Sequence, residues 1–111
     1  MSTLSLKEGV TIYGLHSECL WAIDRCVEAS PADVTVTSTR GDVHSKGSLH
    51  YAGHAFDLRT RNLLTSQITA WISRIKLAVG DDFDVVLESN HIHVEYQPKD
   101  AKPVSAVRPY R

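Results

Sequence analysis

Cysteine is scarce in this chain: Cys19 and Cys26 are the only two, and no third thiol exists to complete a thiolate metal site. They fall seven residues apart in a segment that reads as helix, which puts their Cα atoms ~10 Å apart on one face. A disulfide tolerates less than about 7 Å, so both are expected as reduced core thiols, and nothing calls for an oxidising compartment. Long apolar runs are missing too, and none approaches the length needed to cross a bilayer. Met1 to Thr11 lacks the basic region and apolar stretch of a secretory leader. The expectation is a product made in the cytoplasm without a signal peptide and with no membrane insertion. Finally, there is no surplus of charge. Twelve basic and 13 acidic residues leave a formal net charge of -1, which gives no electrostatic footing for nucleic acid or an anionic membrane.

What the chain does have is an ordinary globular composition, 42% hydrophobic and 23% charged over 111 residues. That is one domain, residues 1–111, long enough to bury a core without a structural metal. A metal found here would therefore serve function more readily than folding. A monomer is expected. Leu15, Cys19, Ile23, Cys26 and Val27 recur at helical spacing across 15–29, with Pro31 as a stop. Residues 33–39, DVTVTST, alternate as a strand. Residues 40–53 are rich in Gly, Ser and His and read as a long loop. HAFDLR (54–59) reads as a short strand. Leu64, Ile68, Trp71, Ile72, Ile75 and Val79 mark a second helix over 63–79, with Asn62 as cap and Gly80 as terminator. Trp21 and Trp71, both helical, are expected in the core. FDVVLE (83–88) and HIHVEY (91–96) are strands, and residues 97–111 form a polar, proline-containing tail.

Ser89 and Asn90 suggest a two-residue hairpin. Glu88 would then oppose His91, and Val86 would oppose His93. Opposed residues share a sheet face, as do residues two apart on one strand. Glu88, His91 and His93 should point the same way, which is not how a core is built.

Four of the six histidines fall into two groups, His50 with His54 and His91 with His93, and Asp57 follows His50 across Gly53. Imidazole and carboxylate are the ligands zinc accepts beside thiolate, and a catalytic zinc usually takes three protein ligands. His50, Asp57 and one histidine of the HIH pair would supply them. An HxH pair alone is weak evidence, and the string SLHYAGHAFD is what strengthens it.

That string, Ser48 to Asp57, matches SxHxxGxAxD at every fixed position. It resembles the motif of the zinc D-Ala-D-Ala carboxypeptidases and L-Ala-D-Glu endopeptidases that cut peptidoglycan stem peptides, and HIHVEY is similar to their second motif, HxH. The resemblance spans roughly residues 33–97. It implies one Zn²⁺ per chain on His50, Asp57 and His93, with His91 in the active site as a non-ligand. Arg40 sits where the family keeps an arginine that holds substrate or transition-state oxygens; gripping a substrate carboxylate is the other role open to it. The family usually carries an acid three residues before its last ligand, where this chain has Asn90. Glu88 lies two residues earlier and, by the hairpin argument, faces the same way. A different register would make His91 the ligand, with Glu88 three residues before it; the residues after His93, Val94 and Glu95, favour His93.

The implied chemistry is hydrolysis by a metal-activated water, with Glu88 as proton acceptor and donor. Arg40 and His91 would stabilise the developing oxyanion. Simpler readings exist for each residue. Glu88 is equally an exposed acid beside a turn, His91 and His93 a solvated strand face, and His54 an exposed residue at an unconstrained motif position. His16 reads as a first-turn helix residue, His44 as a loop residue near the cleft, and Ser48 as a hydrogen-bonding support. The expected fold is α+β: a small, mainly antiparallel sheet with two principal helices on one face and a metal cleft on the other. The expected partner is a peptidoglycan stem peptide, and a compact chain of this kind suits a phage or prophage endolysin. The rivals are a catalytically impaired zinc-binding module, favoured by Asn90, and a cupin-like metal protein, disfavoured because no histidine follows His93.

Overall fold

The computed structural model describes residues 2–39 and 53–98. Along the chain run β1 (Leu4–Leu6), α1 (Ser17–Ala29), β2 (Val34–Ser38), β3 (Ala55–Arg59), α2 (Thr65–Val79), β4 (Phe83–Leu87) and β5 (His91–Tyr96). The five strands form one sheet in the order β1-β2-β3-β5-β4. Every pairing is antiparallel except β1 with β2. This is the expected small α+β fold.

The strands form where side chains alternate. On β5, Ile92, Val94 and Tyr96 are buried while His91, His93 and Glu95 are half-buried on the other face. β2 buries Val34 and Val36, and β3 buries Phe56 and Leu58, on the same side as the β5 apolar set. Against that side pack both helices, through Cys19, Ala22, Ile23 and Cys26 of α1 and Trp71, Ile75 and Val79 of α2. The two helices are tied to each other where the Trp71 indole N–H donates to the Cys26 carbonyl at 3.0 Å. Both thiols are free and buried, and burial pushes each up to about 12.

Four details differ from the sequence reading. β1 was not expected: it is a three-residue edge strand, exposed throughout, held by Val34 N–H to the Thr3 carbonyl at 2.8 Å and Lys7 N–H to the Val36 carbonyl at 2.9 Å. α1 starts at Ser17, and His16 is its cap, its Nδ1 accepting the Glu18 N–H at 3.2 Å. α2 is capped at Leu64 and not at Asn62; the Leu64 N–H is satisfied by the Gln67 side-chain oxygen at 2.9 Å, one half of a capping box. Trp21 lies off the buried stripe of α1 and is 45% exposed. Gly80 does end α2, at φ 80°. No helix among the described residues is long and apolar enough to cross a membrane.

Candidate metal and substrate site

The face away from the helices is built by β3, β5 and β4. Asp57 of β3 pairs with His93 of β5, and Val86 of β4 lies on the other side of His93. The last hairpin has the register expected of a two-residue loop: Leu87 opposes Ile92, and the Glu88 N–H reaches the His91 carbonyl at 2.8 Å. Glu88, His91 and His93 therefore share the sheet face that Asp57 occupies.

The fixed positions of SxHxxGxAxD acquire physical reasons. Gly53 adopts φ +77°, and a Cβ there would run into the Gly14 carbonyl oxygen. Its own carbonyl accepts the His16 N–H at 2.9 Å, so the motif is docked on the start of α1 through a glycine that no other residue replaces without strain. Ala55 is fully buried opposite Glu95, which favours a small side chain. Asp57 then emerges two residues later on the same face, 9% exposed. A bulge in β2 between Val36 and Ser38 brings buried Ser38 opposite Asp57.

Asp57 Oδ1 lies 2.9 Å from His93 Nδ1, and Asp57 Oδ2 lies 3.6 Å from His91 Nε2. The other nitrogen of His93, Nε2, is held by Glu95 Oε1 at 2.7 Å. Glu95 in turn receives the Gln97 side-chain amide on its second oxygen. The hydrogen bond to Asp57, with a further one to Glu95, pushes His93 up to about 9 against the opposing effect of burial. His91 is oriented differently, its Nδ1 meeting Asn90 Oδ1 at 2.6 Å. An amide oxygen only accepts, so that Nδ1 carries the hydrogen and, in the neutral ring, Nε2 carries the lone pair.

Of the seven site residues expected from the sequence, five fall within the described residues. Asp57, His91 and His93 come together, and Asn90 joins them through His91. Glu88 shares their face and lines a cavity of about 560 Å³ with His93 and Glu95. Arg40 and His50 lie outside the described residues, as do His44, Ser48 and the tail from 99 onward. His54 is not exposed as expected. It is half-buried, its ring centroid 5.0 Å from that of His16 and 6.0 Å from that of Tyr96, and burial, then His16, lowers its pKa.

Glu95 is the site residue the sequence reading did not single out. The signal was present, since a residue two beyond His93 on one strand must share its face.

The donor chemistry fits zinc. Bond lengths near 2 Å place tetrahedral nitrogen and oxygen ligands about 3.3 Å apart, close to the spacing of His93 Nδ1 and Asp57 Oδ1. A carboxylate on the far nitrogen of a metal-binding histidine is the usual orienting device, and Glu95 occupies that position. Among the described residues no group of three His, Cys, Asp or Glu side chains completes a metal site; the third expected ligand is His50. No protein-family model, curated protein or solved structure matches the chain.

Proposed function

We propose that this protein is a zinc metallopeptidase that hydrolyses peptide bonds of peptidoglycan stem peptides, with the metal on His50, Asp57 and His93. The observation that carries this reading is the 2.9 Å approach of Asp57 from the first motif to His93 from the second. Asp57 and His93 are 36 residues apart in sequence, and their meeting on a polar sheet face has no purpose in core packing. His93 is preferred to His91 as ligand because Nδ1 faces Asp57 while Glu95 orients the ring from behind.

Zinc, when bound, would polarise the scissile carbonyl and lower the pKa of a water. The chain's own residues supply the remainder. Glu88, on the rim of the cavity that His93 lines, takes the proton from the attacking water and returns it to the leaving amine. His91, with Nδ1 fixed by Asn90, presents Nε2 toward the same face to hydrogen-bond the reacting group. Arg40 holds a substrate or transition-state oxygen. The chain suits a phage-type lysis enzyme acting as a monomer.

The test is release of new amino groups from purified peptidoglycan, with and without zinc, alongside His50→Ala. Zinc-dependent release that the substitution abolishes supports the reading, and mass spectrometry of the fragments names the bond. A second reading, a zinc-binding module with impaired catalysis, is favoured by Asn90. It is supported if the protein binds one zinc, releases nothing, and becomes active as Asn90→Asp.

A further inference from the structure

The polar face carries charge of opposite sign on its two sides. On the β4 side, the cavity lined by Glu88 and His93 also contains, among the described residues, Asp81, Asp84 and Glu95 against a single Lys76. On the β3 side, a separate cavity of about 310 Å³ is lined by Lys7, Arg59 and Arg61 together with Asp57, His91 and Asn90. Among the described residues, three permanent cations there face one carboxylate. That carboxylate already has His93 on Oδ1 and His91 beside Oδ2. Neither Arg59 nor Arg61 forms an ion pair among the described residues.

The placement follows from the strand. Arg59 is two residues beyond Asp57 on β3 and pairs directly with His91, so its side chain rises on the same face. Arg61 follows in the turn after β3. Lys7 is brought alongside by the parallel strand β1, whose end is fixed by the Lys7 N–H bond to Val36.

We infer that Arg59, Arg61 and Lys7 form a carboxylate subsite, adjoining the metal site, that holds a free carboxylate of the stem peptide. Its assignment to the substrate rests on the peptidase reading. An arginine fork matches a carboxylate in shape as well as charge, and among the described residues lining the cavity no carboxylate besides Asp57 neutralises these cations. Arg59 follows Asp57 by two strand residues, about 7 Å of backbone, and both line this cavity. A peptide advances about 3.5 Å per residue. The bound carboxylate thus belongs to a residue one or two positions from the bond to be cut. The acidic cleft on the far side of His93 disfavours the opposite orientation, so the pair of cavities also fixes the direction in which a peptide lies across β5.

Two carboxylates of the stem peptide fit: the C-terminal one and the α-carboxylate of the γ-linked D-Glu. The test is calorimetric binding of the pentapeptide L-Ala-γ-D-Glu-L-Lys-D-Ala-D-Ala to the full chain without added metal. It is repeated with the C-terminal amide and with the peptide carrying D-isoglutamine for D-Glu. Arg59→Gln, Arg61→Gln and Arg59→Lys are measured in parallel, each checked for an unchanged melting temperature. One of the two amidated peptides is expected to bind about tenfold or more weakly, and the one that does so identifies the carboxylate. Arg59→Gln should weaken the parent peptide similarly, leave that amide's affinity unchanged, and be partly rescued by Arg59→Lys.

Equal affinity for all three peptides, or no effect of either glutamine substitution, overturns the subsite. Zinc-dependent hydrolysis of the same peptides is scored separately. Carboxylate-dependent binding without hydrolysis leaves the subsite standing and removes the peptidase. Hydrolysis indifferent to amidation and to Arg59 does the reverse.

Discussion

Removing the charge of Glu95 should weaken zinc binding without dismantling the site. Its Oε1 lies 2.7 Å from His93 Nε2, and the side chain is 19% exposed, so water replaces it poorly. Glu95→Gln keeps the shape and one acceptor oxygen but loses the negative charge that makes Nδ1 a better donor to a metal. Loss of such an orienting partner typically costs 10- to 100-fold in metal affinity, which is about 1.4–2.7 kcal/mol. The assay is competition for zinc against a chromophoric chelator, with Glu88→Gln as the comparison. Glu88 is exposed and its side chain makes no hydrogen bond or ion pair to a histidine side chain among the described residues, so its substitution should leave zinc affinity unchanged and lower only turnover. Unchanged zinc affinity in Glu95→Gln, together with a loss in Glu88→Gln, would refute the assignment of roles to the two acids. Equal losses in both would show a general field effect in place of a specific contact.

In the metal-free protein, His93 titrates near 9 where an ordinary histidine titrates at 6.5. A raised folded-state pKa stabilises fully below pH 6.5 and is lost as pH climbs through 9. The full linkage value is about 3 kcal/mol. Urea midpoints of chelator-treated protein should therefore fall between pH 6.5 and 9.5, and the fall should vanish in His93→Gln. Gly53→Ala combines a positive φ with a collision at the Gly14 carbonyl, a cost of about 2–4 kcal/mol by denaturant unfolding; a loss under 1 kcal/mol would mean the motif is not docked on α1. Trp71→Phe removes the indole bond to the Cys26 carbonyl and leaves a small void. About 2 kcal/mol of stability should go with it, and an unaltered melting temperature would contradict the buried contact.

Much of the fold was legible because the signals were local. The alternation in DVTVTST and HIHVEY, and the apolar stripe from Leu64 to Val79, each report a buried face directly. The hairpin register followed from loop length alone, and with it the shared face of Glu88, His91 and His93. The features missed depend on distant partners. β1 has three exposed residues and no pattern of its own, and it forms because Asp33 and the β2 backbone offer bonds to Thr3 and Lys7. Leu64 is a poor cap by residue type, yet Gln67 supplies what its side chain lacks. Trp21 was expected in the core on hydrophobicity, but the stripe through Cys19, Ala22, Ile23 and Cys26 points elsewhere. Glu95 and Arg59 were within reach, since each lies two strand positions from a motif residue.

On the proposed reading, the arrangement would give two histidines so close in sequence different tasks. His93 sits between two carboxylates, Asp57 and Glu95, which favours a ring whose Nδ1 faces a cation while Nε2–H is held. His91 sits between an amide and the cationic cavity, with Asn90 taking its Nδ1 hydrogen and Arg59 paired across from it on β3. A positive ion beside His91 would share its surroundings with Arg59, Arg61 and Lys7, whereas beside His93 it would face the acidic side of the sheet. In the proposed peptidase, electrostatics would separate a cation-binding imidazole from a substrate-facing one on a single strand, two residues apart. An acid at position 90 would hold the same Nδ1 hydrogen with a full charge, so Asn90 tunes His91 and leaves His93 to Asp57 and Glu95.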